Sequence, residues 1–159
     1  MSDKHKTNSG TISFSYENFL KILESLVNNF GSAGESIIFQ IGRDYGIQYC
    51  KGALARLPSN EMELDELFRY IIETVSSDGW ANMELDEFNP QKGTVHVILK
   101  QNVFQPECSM LHKPQCFFLR GYLSGIIKEL TNMDYMFFSS QCLGHGDENC
   151  SIKLISQIR

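Results

Sequence analysis

Residues 80–102 read WANMELDEF, NPQKG, TVHVILKQN, and this stretch decides the fold class. From Trp80 to Phe88 and again from Thr94 to Asn102 the apolar positions recur every second residue, the period of a half-buried strand. Asn89-Pro90-Gln91-Lys92-Gly93 between them carries turn residues. The stretch is therefore an antiparallel hairpin. A second hairpin is expected at the C-terminal end, with strands at Tyr135–Cys142 and Cys150–Ile155 joined by the tight loop 143–149.

Outward from the hairpins the period changes to that of a helix. Phe19, Ile22, Leu23, Leu26, Val27 and Phe30 follow three- and four-residue spacing. Gly31-Ser32-Ala33-Gly34 reads as a loop. A second helix carries Ile37, Ile38, Ile41, Tyr45, Tyr49 and Leu54, with Gly42, Gly46 and Gly52 threaded through it. Each interior glycine costs a helix about 1 kcal/mol relative to alanine, so their presence signals close approach of another backbone or a ligand. A third helix is expected over Met62–Ser76 and a fourth over Phe117–Leu130. The order of helices, hairpin, helix, hairpin predicts an α+β fold with an antiparallel sheet covered by a layer of helices.

The chain has 159 residues, 42% of them hydrophobic, which suits one globular domain. Residues 1–12 read as a flexible tail and 13–159 as the single domain, with no repeat and no linker. No apolar run approaches the roughly 18 residues of a membrane span, and the polar N-terminus has no signal-peptide core. The net charge of −5 argues against direct nucleic-acid binding, which wants a basic surface. Five cysteines, an odd and clustered set, indicate reduced thiols and a cytoplasmic location.

Four of those cysteines, Cys108, Cys116, Cys142 and Cys150, fall within 43 residues of each other at the C-terminal end. Cys142 and Cys150 flank the second hairpin loop, where antiparallel pairing brings them together. Cys116 stands at a helix start, where the dipole favours a thiolate. Three such thiolates can hold Zn²⁺, although the spacing is not a paired CxxC, and from spacing alone small core hydrophobes fit equally well.

Cys116-Phe117-Phe118-Leu119-Arg120-Gly121-Tyr122-Leu123-Ser124-Gly125, followed by residues 142–150, CLGHGDENC, resembles the 4-vinyl reductase (4VR) domain. That family shows a cysteine before a Gly-Tyr-x-x-Gly helix, then a cysteine, a Gly-Asp turn and a second cysteine. Gly42-Arg43-Asp44-Tyr45-Gly46 and Ser77-Asp78-Gly79-Trp80 are similar to two further family segments, so the resemblance runs from about Ser36 to Ile155. It implies a fold shared with TRAPP trafficking subunits and a homodimer. In related phenol- and xylene-responsive sensory domains, similar cysteines bind structural zinc beside a pocket for an aromatic ligand. Carried over by position, Cys116, Cys142 and Cys150 match the zinc thiolates. The family's fourth ligand, a glutamate, is Ser139 here; Cys108 is the first substitute and His112 the next. The resemblance also implies an alternative, a thiol redox sensor built on the same cysteines.

An apolar pocket for a hydrophobic or aromatic ligand is expected around Trp80, His96, Tyr122 and Phe138. Each has a plainer reading, as core or surface. His96 shares its strand face with Thr94 and Ile98 rather than with Val95, Val97 and Leu99, which points it to solvent. His145 is expected in an exposed turn beside the thiols, Asp147 to serve that turn, and Cys50 to be a core thiol. Tyr135-Met136-Phe137-Phe138 puts apolar side chains on both faces of its strand.

Catalytic signatures are missing: no nucleophile elbow, HExxH, phosphate loop or GxGxxG. The chain is expected to be a non-enzyme, a stand-alone sensory domain acting on a separate regulator. A carrier or assembly factor for a tetrapyrrole-like intermediate, working with a pathway enzyme, is the other reading.

Overall fold

The computed structural model describes residues 15–57, 62–104, 116–142 and 146–157, with the side chains of 139 and 140 left aside. In order they form α1 (Tyr16–Phe30), α2 (Ser32–Leu54), α3 (Leu64–Ser77), β1 (Ala81–Asn89), β2 (Thr94–Asn102), α4 (Phe117–Thr131), β3 (Tyr135–Gln141) and β4 (Cys150–Ser156). The four strands make one antiparallel sheet in the order β1-β2-β4-β3. This is the α+β architecture the hairpins predict. The tail at 1–12, Cys108, His112 and His145 lie outside the described residues.

Helix boundaries follow local chemistry. Ser15 caps α1, its hydroxyl accepting from the Asn18 N–H at 3.3 Å. The expected loop over 31–34 shrinks to Gly31 alone. With φ +57° that residue turns the chain by itself, its N–H bonded to the Val27 carbonyl at 2.7 Å. Ser32, Ala33 and Gly34 then belong to α2, and Gly34 lies so near α1 that a Cβ there would sit 2.3 Å from the Leu26 carbonyl oxygen.

Helix α4 is the centre of the molecule. Ten consecutive residues, Phe118 to Ile127, are buried, because α2 packs on one side and the sheet on the other. The glycines of α2 explain how the backbones come so close. A Cβ on Gly42 or Gly46 would fall 2.2 Å and 2.1 Å from the carbonyl oxygens of Phe118 and Tyr122. Reciprocally, a Cβ on Gly121 or Gly125 would meet the carbonyl oxygens of Phe39 and Arg43 at 2.0 Å and 2.1 Å. Two Gly-x-x-x-Gly faces thus interlock, one on each helix. The close approach expected of Gly42 and Gly46 is to another backbone, whereas Gly52, expected to share it, has nothing within 4 Å of a Cβ built on it.

The inner face of the sheet presents Val95, Val97, Leu99, Ile152 and Leu154, all essentially inaccessible. Two side-chain bonds fix the helices to it. The Ser124 hydroxyl donates to the Tyr135 carbonyl at 3.0 Å, and the Ser76 hydroxyl accepts from the Met83 N–H at 3.0 Å where β1 bulges. The outer face is polar on β1 and β2, with Lys100 paired to Glu84 and Thr94 donating to Glu87 at 2.7 Å. On β3 it becomes apolar, with Met136 and Phe138 exposed. Among the described residues no helix is long and apolar enough to cross a membrane.

Asp134 joins α4, α2 and β3. Lys128 donates to it at 2.7 Å and Arg43 pairs with the same oxygen. The Lys128 ammonium, with Arg43 beside it, holds its carboxyl below the ordinary value of 3.8. A lowered folded pKa gives stability that is complete above the unfolded value and is lost as pH falls through the folded one. Asp134→Asn is therefore expected to flatten the acid limb of a stability–pH curve below about pH 4 and leave its alkaline limb unchanged. Urea titrations across that range check it.

Candidate functional site

Five elements meet where α4 begins. The first turn of α1 brings Tyr16 and Phe19, α2 brings Ile41 and Tyr45, and α4 brings Phe118. Gly79, at φ +85°, turns the chain out of α3 and delivers Trp80 immediately before β1. Val103, just past β2, is held by its N–H bond to the Trp80 carbonyl at 3.1 Å. Together they enclose an open cavity of about 530 Å³, within the size range of small-molecule sites.

Its walls are aromatic. Trp80 lies 5.0 Å from Phe118 and 5.4 Å from Phe19, ring centre to ring centre, and Tyr45 lies 6.2 Å from Trp80. The Phe19 ring meets both Trp80 and Phe118 edge-on, the geometry that ring quadrupoles favour. Asp78 is the one charged side chain at the cavity among the described residues.

Behind this wall Tyr122 stacks on Phe118 at 6.1 Å and packs on Tyr45 at 5.4 Å and Tyr49 at 5.7 Å. Burial, reinforced by Tyr49 and Tyr45, pushes the Tyr122 hydroxyl well above the usual phenol range. Burial and the neighbouring Asp78 carboxylate do the same to Tyr49. The Tyr122 hydroxyl makes no hydrogen bond to a described residue. Tyr122→Phe is accordingly expected to change stability by less than about 0.5 kcal/mol, because it removes no bond. A larger loss in chemical denaturation would place a partner on that hydroxyl.

The four pocket residues expected from sequence separate into two pairs. Trp80 lines the cavity and Tyr122 supports its wall. His96 and Phe138 lie elsewhere, because strand alternation turns both to the outer face of the sheet. There the His96 imidazole Nδ1 is 2.7 Å from the Asp86 carboxylate, and Phe138 is 61% exposed on the edge strand. Sequence reading passed over Phe19, Tyr45, Asp78 and Val103 as cavity residues. Asp78 and Tyr45 stood within the very segments similar to the 4VR pattern, a usable signal.

The cysteines occupy the same end of the fold. Cys150 opens β4 opposite Leu99, and Cys142 follows Gln141, which pairs with Ser151. Cys116 is the N-cap residue of α4, two positions before Phe118. The Cys142 N–H donates to the Asp147 carboxylate at 2.7 Å while the Asp147 N–H donates back to the Cys142 carbonyl at 3.3 Å. Asp147 thus closes the hairpin loop. Among the described residues no three His, Cys, Asp or Glu side chains gather closely enough to hold a metal ion. The expected substitutes, Cys108 and His112, and the side chain of Ser139 fall outside the described set. Cys50 is wholly buried on α2, away from these three. Burial, with Glu129 nearby, pushes its thiol up to about 12. It is expected to resist iodoacetamide at pH 8 in the native protein and react only in denaturant, which peptide mapping after alkylation checks.

No family model matches the chain, and no characterised protein matches it in sequence. Solved structures do match. The phenol-responsive sensory domain of the transcription activator PoxR, crystallised with phenol, superposes with a TM-score of 0.75 at 15% identity. The match covers 92% of this chain and 76% of that one. Trafficking protein particle complex subunit 3 from Naegleria fowleri, covalently bound to palmitic acid, follows with a TM-score of 0.68 at 10% identity, over 90% and 93% of the two chains. A vinyl-4-reductase family protein from Methanocaldococcus jannaschii gives 0.51 at 18% identity, over 93% and 100%. The fold is the one shared by vinyl-4-reductase and TRAPP-subunit proteins. At such identities the likeness is one of backbone, and function has to be argued from the site.

Proposed function

We propose that this chain is a small-molecule-binding sensory domain, without catalytic activity, whose ligand enters the aromatic cavity at Trp80. The cavity carries the reading: an apolar recess of ligand size, walled by rings from α1, α2, α4 and the turn before β1, at one end of the α2–α4 pair. A ligand seated there would touch α1, α2 and α4 together, so its binding can alter how α1 lies on the rest. Two structural neighbours support the reading, since the PoxR domain was crystallised with phenol and the TRAPP subunit with palmitic acid.

The ligand reading is favoured over a thiol redox sensor by burial. Cys116, Cys142 and Cys150 are 6%, 3% and 3% exposed, and enclosed thiols react slowly with oxidants. We assign those three cysteines to packing the end of the sheet against α4, and propose zinc as a staple only with a rearrangement that draws the three thiols together, since in the structure they do not gather closely enough to hold it. Zinc analysis of protein purified without added metal is expected to give close to one ion per chain. A value well below one removes zinc and leaves the pocket standing.

Ile37, Ile41 and Tyr45 form an exposed stripe along α2, and Ile22 and Phe30 of α1 are exposed too. We assign it to a homodimer contact that also partly roofs the cavity, and light scattering tests it directly. The pocket itself is tested by native mass spectrometry and by the emission of Trp80, the sole tryptophan. The expected result is a retained small-molecule adduct, or a change in emission on titrating phenol, that Tyr45→Ala abolishes. A bare mass together with unaltered emission refutes the proposal.

A further inference from the structure

The cavity's chemistry narrows what it takes, an inference that rests on the pocket reading above. Its lining among the described residues is aromatic and aliphatic apart from hydroxyls and a single carboxylate, Asp78. Asp78 ends α3 in a helical conformation, φ −78° and ψ −5°, with its N–H bonded to the Val75 carbonyl at 3.1 Å. Gly79, at positive φ, then reverses the chain, so that carboxylate and indole stand on either side of one turn. No lysine, arginine or histidine among the described residues lines the cavity, and the neighbour of the carboxylate on its inner side is the Tyr49 hydroxyl. Its charge reaches inward, since Tyr49 and Tyr122 beneath the wall both feel it.

An anionic ligand would bring a second negative charge against Asp78, and a neutral one could offer the carboxylate at most a hydrogen bond. A cation meets both the carboxylate and the electron-rich ring faces, tryptophan being the strongest of these. We propose that the occupant of the cavity is an organic cation: an aromatic or alkyl body carrying a protonated amine, with the ammonium between Asp78 and the Tyr45–Trp80 corner and the body against Phe19 and Phe118.

The test compares three probes of similar shape and different charge, followed through Trp80 emission on the full chain: 2-phenylethylamine, 2-phenylethanol and 3-phenylpropanoate. The amine is expected to bind roughly three- to tenfold more tightly than the alcohol, and the carboxylate most weakly. Asp78→Asn is expected to weaken the amine several-fold more than the alcohol, whose hydroxyl can still donate to the asparagine amide oxygen. Asp78 is exposed and its backbone makes the turn, so the variant should fold, which far-UV circular dichroism verifies. Alcohol binding as tight as amine binding, or equal weakening of both in Asp78→Asn, overturns the cation assignment and leaves the pocket intact. No response to any of the three probes overturns the pocket reading and the cation assignment with it.

Discussion

Gly125→Ala is expected to destabilise the protein by about 3 kcal/mol, far more than a surface glycine-to-alanine change. The reason is the α2–α4 contact. The added methyl carbon would lie 2.1 Å from the Arg43 carbonyl oxygen and 2.9 Å from its carbon, both backbone atoms of the neighbouring helix. No rotamer relieves that clash, so the helices must part. The carbonyls of Phe118 and Tyr122, which face Gly42 and Gly46, would be drawn out of register at the same time. For a domain of this size the loss corresponds to a fall in melting temperature of roughly 6–12 °C. Gly52→Ala is the control. Gly52 is also helical and on α2, but nothing lies within 4 Å of a Cβ built on it, so alanine there should gain up to about 1 kcal/mol. Thermal unfolding of the pair checks both signs, and a Gly125→Ala melt within about 1 °C of the parent would refute the interlock.

Phe118→Ala is expected to cost about 3–5 kcal/mol and to remove the pocket's response to ligand. Phe118 is 2% exposed and its ring lies within about 6 Å of Phe19, Tyr45, Trp80, Phe104 and Tyr122. Truncation leaves a void under Trp80 and frees Phe19, which now packs edge-on to both rings. Two readouts separate stability from function. Denaturant midpoints report the cavity cost, and a red shift of Trp80 emission in the still-folded variant reports water reaching the indole. A variant that loses stability while retaining its emission and ligand response would show that Phe118 is core only.

Several elements were legible because they rest on local rules. The β1–β2 hairpin follows from period-two burial and a turn whose Asn89 side chain accepts from the Lys92 N–H at 2.9 Å. The helix over 117–131 and the second hairpin were recovered within a residue or two, for the same reason. The 31–34 segment was misread because its composition is that of a loop, whereas one residue at positive φ sufficed and the packing of Gly34 on α1 kept the rest helical. His96 and Phe138 were placed with the pocket although strand alternation already turned His96 outward. Deciding which sheet face lay beneath the helices needed the helices in place. Asp78 stood in a segment similar to the 4VR pattern but was not read as a cavity residue, since only the fold sets it beside Trp80 and Tyr45 at the cavity.

The sequence by itself determined the elements, their order and the α+β class, because periodicity and turn chemistry act between residues close along the chain. Its Gly42–Gly46 run also announced a close approach, although the partner run, Gly121–Gly125, carried no such reading. Only the tertiary structure decided that these runs meet each other, that the strand order is β1-β2-β4-β3, and that the cavity draws residues as distant as Phe19 and Phe118 to within 5.3 Å. Such contacts depend on how whole faces pack, and a residue's neighbours across a core leave no periodic mark in the chain that carries it.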